Sequence, residues 1–370
     1  MKLILQQIFG LIKFYTLPKE FREIVIYSEN ENYKNYYYKI IETLTYKFYK
    51  KVTYVTSDFN DLIPDTENVK SIYIGSSYLR SILFATLNCK KFLLTLTDLG
   101  SPQLRKSKLC EEYIYIFHSP ISTHAGYNKK AFWHYDTIFC NGEYQINELQ
   151  TTEKIYNLKK KIKVRSGYLF FEFLKKNQKH EEVKKNILFA PTWVNDENNL
   201  FEKYSLQIIQ LLIDSGYKVI LRPHPEHFKR SKITINKLIK NFSGNKNFYL
   251  DNNINNLDGI LKSEFMITDN SGVAIEYALI FKKNIIFINS AKKINNLSYE
   301  DLKLKTIEDI VKNKFGYTIN TNEIKNITNI LKNLSNRKAA SDLEKRKEFL
   351  NNNFFDSSKS LEIIVNHLIK

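Results

Sequence analysis

Cysteine is scarce in this chain, acidic residues are outnumbered, and long apolar runs are missing. Cys89, Cys110 and Cys140 are the three cysteines among 370 residues. Their spacing fits no metal-ligand pattern and each lies in or beside an apolar stretch, so they read as reduced core thiols rather than a disulfide scaffold. No run is long enough to cross a bilayer. The opening MKLILQQIFGLIKFY is interrupted by Gln6-Gln7 and is followed by no small-residue cleavage site, which argues against a cleaved leader. No Asp-x-Asp pair or His/Asp cluster stands out, so neither a metal nor a cofactor is expected. Internal repeats and a low-complexity tail are missing too.

Asp and Glu number 39 against 56 Lys and Arg, which leaves a formal charge of +17. The lysines are scattered among many Asn and Ile residues rather than gathered in one stripe, so a general compositional bias explains most of them. Nucleic acid is therefore not an expected partner, whereas an anionic membrane surface or a phosphate-rich substrate is. A non-catalytic, basic binding protein would explain the charge alone. Hydrophobic residues make up 43% of the chain and aromatics 14%, enough to place it among folded proteins.

What is present is an alternation of apolar strands and helical segments. Strands are expected at Glu23 to Tyr27, Lys51 to Val55, Ser71 to Gly75, Lys91 to Thr95, Glu112 to Phe117 and Asp136 to Cys140. A second series runs through Asn186 to Ala190, Lys218 to Leu221, Phe248 to Leu250, Phe265 to Ile267 and Asn284 to Ile288. Such alternation predicts parallel, doubly wound α/β sheets. The polar, lysine-rich texture of Tyr156 to Lys185 marks a linker, giving a first domain over 1–170 and a second over 171–370, with mostly helical structure after Asn322. Residues 1–16 form an amphipathic helix with Ile4, Ile8, Leu11, Ile12 and Tyr15 on one face and Lys2, Gln6 and Lys13 opposite. It is either an interfacial helix or one packed on its own domain.

Two polar segments follow strands of the second domain. In Leu221-Arg222-Pro223-His224-Pro225 the flanking prolines restrict the backbone around His224, and Arg222 adds a permanent charge. That pair suits a diphosphate or a departing phosphate; the plainer alternative is a turn with a solvated His224. His227 reads as an exposed neighbour. In Thr268-Asp269-Asn270-Ser271-Gly272 the loop opens a helix, so its amides and the hydroxyls of Thr268 and Ser271 are candidates to receive phosphate oxygens. Glu276 would then accept from ribose hydroxyls; the alternative is a helix cap at Asp269 or Ser271 with Glu276 on a solvated face. In the first domain Phe117-His118-Ser119-Pro120-Ile121-Ser122-Thr123-His124 follows a strand, and His118 or His124 is the candidate base for an attacking hydroxyl. Trp193 either walls the cleft or packs in the core.

At ILFAPTW (Ile187 to Trp193), LRPHP (Leu221 to Pro225) and ITDNSGVAIEY (Ile267 to Tyr277) the chain resembles the CDP-glycerol glycerophosphotransferase family of teichoic-acid and capsule polymerases. The resemblance covers roughly the last half and is looser before it. It implies a GT-B fold with two Rossmann-like domains. It also implies transfer of a polyol phosphate from a CDP-linked donor to a hydroxyl of a growing or lipid-linked polymer, at the cytoplasmic face of the membrane. By position it makes His118 the base, Arg222 and His224 the donor phosphate contacts, Thr268, Asp269 and Ser271 the loop near the diphosphate, and Glu276 the ribose contact. Two residues depart from the family pattern: Ser119 stands where a glycine is usual and Gly272 where a second serine is usual. A glycosyltransferase using a nucleotide-sugar donor in the same cleft is the rival enzyme.

Overall fold

The structure, a computed structural model, describes residues 2–178, 185–252, 257–335 and 340–370. Its chain divides into two compact units. The first comprises Met1–His118, Tyr127–Glu172 and Phe354–Lys370; the second comprises Ser119–Gly126 and Phe173–Asn353.

In the first unit lie β1 (Ile24–Ser28), β2 (Val52–Thr56), β3 (Val69–Tyr73), β4 (Cys89–Leu94), β5 (Cys110–Ile116), β6 (Thr137–Cys140) and β7 (Ile162–Arg165). They form one parallel sheet in the order β3-β2-β1-β4-β5-β6-β7. The second unit holds β8 (Asn186–Phe189), β9 (Lys218–Leu221), β10 (Phe248–Leu250), β11 (Phe265–Thr268), β12 (Asn284–Asn289) and β13 (Gly316–Asn320), again parallel, in the order β10-β9-β8-β11-β12-β13. Each sheet therefore runs outward one way from its first strand and then returns to the other side of it. This doubly wound order leaves a crevice at the carboxyl ends of β1 and β4 in one unit and of β8 and β11 in the other.

The apolar runs seen in the sequence became the central strands, whose residues are buried on both faces as parallel sheets require. Two strands escaped the sequence reading, β7 in the expected linker and β13 near the C-terminus. Both are edge strands with exposed polar residues, Ile-Lys-Val-Arg in one and Gly-Tyr-Thr-Ile-Asn in the other. An edge needs no continuous apolar run, and charge there discourages pairing with other chains.

The domain limits also need correcting. The terminal helix Ser360–Ile369 belongs to the first unit, where Ile364, Val365 and Leu368 join the core of Ile24, Ile26, Tyr37 and Leu93. Each such buried side chain contributes on the order of 2 kcal/mol. Its His367 pairs with Glu112 on β5 at 2.7 Å. Gly167, at φ +76°, lets this returning segment pass, since a Cβ there would stand 3.0 Å from the Phe355 carbonyl oxygen. Conversely, Ser119–Gly126 leaves the first unit and packs in the second. The three cysteines are free and buried, with Cys89 and Cys110 paired across β4 and β5.

Candidate active site

Three loops of the second unit gather around the β8/β11 crevice: the ends of β8 and β11, and the turn after β9. The turn after β9 is built around two histidines. His224 caps the short helix Pro225–Arg230, its Nδ1 accepting the Glu226 backbone N–H at 3.2 Å. The His224 backbone N–H in turn donates to Nδ1 of His227 at 3.1 Å. With Nδ1 engaged as an acceptor, the neutral His224 ring carries its proton on Nε2. His227 is fully buried and stacks on Phe201 with ring centroids 4.0 Å apart. Burial pushes its pKa down to about 4, which keeps it an acceptor at neutral pH. His227 is thus not the exposed neighbour expected from the sequence but the brace that sets the direction of His224.

Arg222 is placed differently from the expectation. Its backbone N–H still bonds to Phe189 in the sheet, and its Nε and Nη2 both donate to Oδ2 of Asp251, just beyond β10. Both side chains are buried. Gly259 makes room for the pair, because a Cβ there would lie 2.6 Å from the Asp251 oxygen and 3.1 Å from Nη2 of Arg222. Arg222 therefore holds the turn to its neighbouring strand and does not extend from it.

In the loop after β11, Thr268 is buried and its hydroxyl donates to the Ala190 carbonyl at 2.6 Å. Asp269, also buried, accepts the Thr192 N–H at 2.9 Å and a longer bond of 3.4 Å from the Ser290 hydroxyl. These two residues tie β11 to the end of β8, and neither Asp269 nor Ser271 caps the helix that follows. Burial raises the Asp269 pKa to about 6 despite its hydrogen bonds. Ser271 and Gly272 are half-buried at the loop's rim. Glu276 is buried in the helix Val273–Leu279, which removes the solvated-face alternative for it.

A raised carboxyl pKa has a definite sign for stability. Between its unfolded value near 3.8 and its folded value near 6, Asp269 binds more proton in the native state, so its contribution improves as pH falls through 6 and is lost as pH rises above it. His227 acts in the opposite sense over part of this range. Comparison with Asp269→Asn isolates the carboxyl: in urea titrations at pH 5 and 7.5, the parent should gain about 1 to 1.5 kcal/mol on the variant at the lower pH.

The strap Ser119–Gly126 completes the cluster. Ser122 accepts the Ile307 N–H at 2.8 Å and donates its own backbone N–H to Glu308 at 3.1 Å. His124 is buried, with Nε2 3.2 Å from the Leu304 carbonyl and its own carbonyl accepting from Asn296 at 2.9 Å. These contacts fasten the strap.

Ser119 explains Gly272. A Cβ on Gly272 would lie 2.3 Å from the Ser119 hydroxyl oxygen and 3.0 Å from Ile121 Cγ2. Nor does Ser119 have positive φ, so its backbone needs no glycine. The two departures from the family pattern therefore occupy one space, with the hydroxyl missing at 272 matched by one at 119. Gly272→Ser is expected to destabilise by about 1 to 2 kcal/mol through overpacking. Adding Ser119→Gly should recover at least half of that, and strictly additive losses in the double-mutant cycle would refute shared occupancy.

His118 is the last residue of the first unit before the strap, two residues beyond the end of β5, where a strand-end histidine was expected. Its carbonyl accepts from the hydroxyls of Tyr36 and Tyr168, both at 2.9 Å, and its half-buried ring meets Tyr33 edge-on at 5.1 Å.

The chain matches the family described as CDP-glycerol:poly(glycerophosphate) glycerophosphotransferase over residues 125–370. It belongs to that family. Among solved structures it is similar to the wall teichoic acid polymerase TagF, at 16% identity and a TM-score of 0.57, covering 98% of this chain and 93% of the other. It is also similar to the UDP-GlcNAc 2-epimerase of Methanocaldococcus jannaschii, at 14% identity, a TM-score of 0.58 and coverage of 94% and 99%. A putative UDP-N-acetylglucosamine 2-epimerase from Listeria monocytogenes matches at 12% identity and a TM-score of 0.60, covering 94% and 95%. No curated protein sequence matches. These structural likenesses establish the GT-B fold.

The sequence reading of this glycerophosphotransferase passed over two cations, Lys293 and Arg230. Lys293, beyond β12, has its ammonium lowered in pKa by burial, partly offset by the charges of Glu308, Asp269 and Glu226. Lys312 feels the charge of Asp269 as well, so two lysines act on the β11 loop electrostatically; the signal for Lys293 was its place after a strand end. Trp193 is half-buried and carries the Arg230 guanidinium over its ring at 5.3 Å, so it lines the mouth of the turn together with a second unforeseen cation. Among the described residues no group of three or more His, Cys, Asp or Glu is placed to hold a metal ion, and no helix is long and apolar enough to cross a membrane.

Proposed function

We propose that this glycerophosphotransferase moves glycerol phosphate, or a closely related polyol phosphate, from its CDP-linked donor to a terminal hydroxyl of a cell-surface polymer. The enzyme works peripherally at the inner face of the cell membrane, where a lipid-linked acceptor is presented. A ring nitrogen of His118 takes the proton of the acceptor hydroxyl, whose oxygen forms the new bond to the distal phosphorus. The bond from that phosphorus to the bridging oxygen breaks and CMP leaves. His224 donates its Nε2–H to the charge growing on the departing phosphate. The Ser271 hydroxyl serves the diphosphate at the β11 loop, Lys293 adds positive charge near it, and Glu276 receives the ribose.

The observation that carries this reading is the tautomer of His224. Two hydrogen bonds on the other side of the turn commit Nδ1 and the backbone N–H, so the ring can only donate from Nε2. Arg222, by contrast, acts by keeping the turn in place. A thermal-shift series tests the donor class. CDP-glycerol, CDP and CMP should raise the melting temperature, by mass action, well above the effect of UDP and GDP at equal concentration. An equal or larger shift with the uridine series would reject the cytidine assignment.

A further inference from the structure

At His118 the chain leaves its strand, and at the next residue it passes into the second unit. Side chains on loops move more than those on strands, whereas a group that transfers a proton must be held within about 0.5 Å of its productive position. Three tyrosines of the first unit converge on this one residue. Tyr36 and Tyr168 both donate their hydroxyls to the His118 carbonyl at 2.9 Å, which fills both lone-pair positions of that oxygen. Each phenol has one proton to give, so the 3.1 Å between the two hydroxyl oxygens is a contact across the acceptor they share. Tyr33 meets the imidazole itself, edge-on, with ring centroids 5.1 Å apart.

The tyrosines are themselves fixed by separate parts of the unit. Asn30 caps the turn after β1 by accepting the Asn32 N–H at 3.0 Å, and Tyr33 and Tyr36, three residues apart at the start of the helix Lys34–Glu42, share one side of it. Tyr37 beside them is fully buried in the core that contains Ile26 and Leu93, which fastens this helix to the sheet. Tyr168 comes from the far end of the unit, just after β7, where Gly167 at φ +76° turns the chain, and it is also fully buried. Phe170 stacks on Tyr36 with centroids 5.0 Å apart and planes at 30°, so packing holds the phenol as well. Burial alone asks only that a phenol find some partner. Here two phenols more than a hundred residues apart in sequence choose the same backbone oxygen. We propose that Tyr36 and Tyr168 are positioning residues for the transfer, clamping the His118 backbone while Tyr33 restricts its ring. The inference rests on His118 as the base, and the two phenols act through it rather than on substrate.

Tyr36→Phe and Tyr168→Phe remove the hydroxyls and keep every ring, including the stack on Phe170. Each single change should lower kcat with CDP-glycerol about three- to tenfold and the pair about 30- to 100-fold, at unchanged KM, since a misplaced base slows only the chemical step. A second readout needs no turnover. In protein with isotope-labelled histidine, the His118 ring signal, identified by its loss in His118→Ala, should move or broaden in the double variant while those of His134 and His367, in the same unit, stay in place. Either single variant carries the same comparison at smaller amplitude. Disturbance of all three signals, or a rise in KM that matches the fall in kcat, would mean general loosening and overturn the inference. So would an unmoved His118 signal. Inactivation by His118→Ala beside a fully active double variant rejects the clamp alone, whereas full turnover by His118→Ala rejects the transfer reading beneath it.

Discussion

Replacing His224 with alanine is expected to lower turnover of CDP-glycerol by about 10²- to 10³-fold while leaving the fold intact, because a donor aimed at charge that develops only in the transition state is lost. The residue is half-buried at a turn and its ring caps the helix that follows, and loss of a cap costs about 1 kcal/mol. His227→Phe separates aim from chemistry. It keeps the stack on Phe201 but removes the acceptor for the His224 N–H. Turnover should fall by roughly tenfold with little change in KM, since the lost interaction steadies a donor needed only in the transition state. If His227→Phe were as damaging as His224→Ala, the division of labour between the two histidines would be wrong.

Asp251→Ala should produce the largest stability loss of any single change discussed. It leaves the Arg222 guanidinium buried without its partner, and breaking a buried pair in this way costs about 3–5 kcal/mol. Denaturant titration should show the midpoint collapse, and the double variant Arg222→Met, Asp251→Leu should recover most of it, because two apolar side chains leave no uncompensated charge. This outcome distinguishes the two roles for Arg222. Were the guanidinium chiefly a donor ligand, Asp251→Ala would leave stability almost unchanged and weaken donor binding instead.

The strands at the centres of both sheets were legible because burial on both faces demands unbroken apolar runs, as in Ile24 to Tyr27 and Phe265 to Ile267. β7 and β13 were not, because an edge strand can be polar. Proline spacing around His224 pointed to a fixed ring, and the ring is fixed. What local sequence cannot carry is partnership across distance. Arg222 meets Asp251 through the register of β9 and β10, His227 is buried by Phe201, and the last helix returns to the first unit. Gly272 shows the same lesson from the other side: as an isolated departure it looked like a lost hydroxyl, whereas beside Ser119 it is the space that hydroxyl occupies.

The central claim is transfer of an intact polyol phosphate with CMP as the leaving group. Purified enzyme, membrane vesicles carrying acceptor, and CDP-glycerol labelled separately in its glycerol and in its distal phosphorus test it directly. Both labels should enter the polymer in equal amounts, one CMP should appear per unit added, and His118→Ala should stop both. Release of a nucleoside diphosphate, with glycerol label but no phosphorus label in the product, would contradict it.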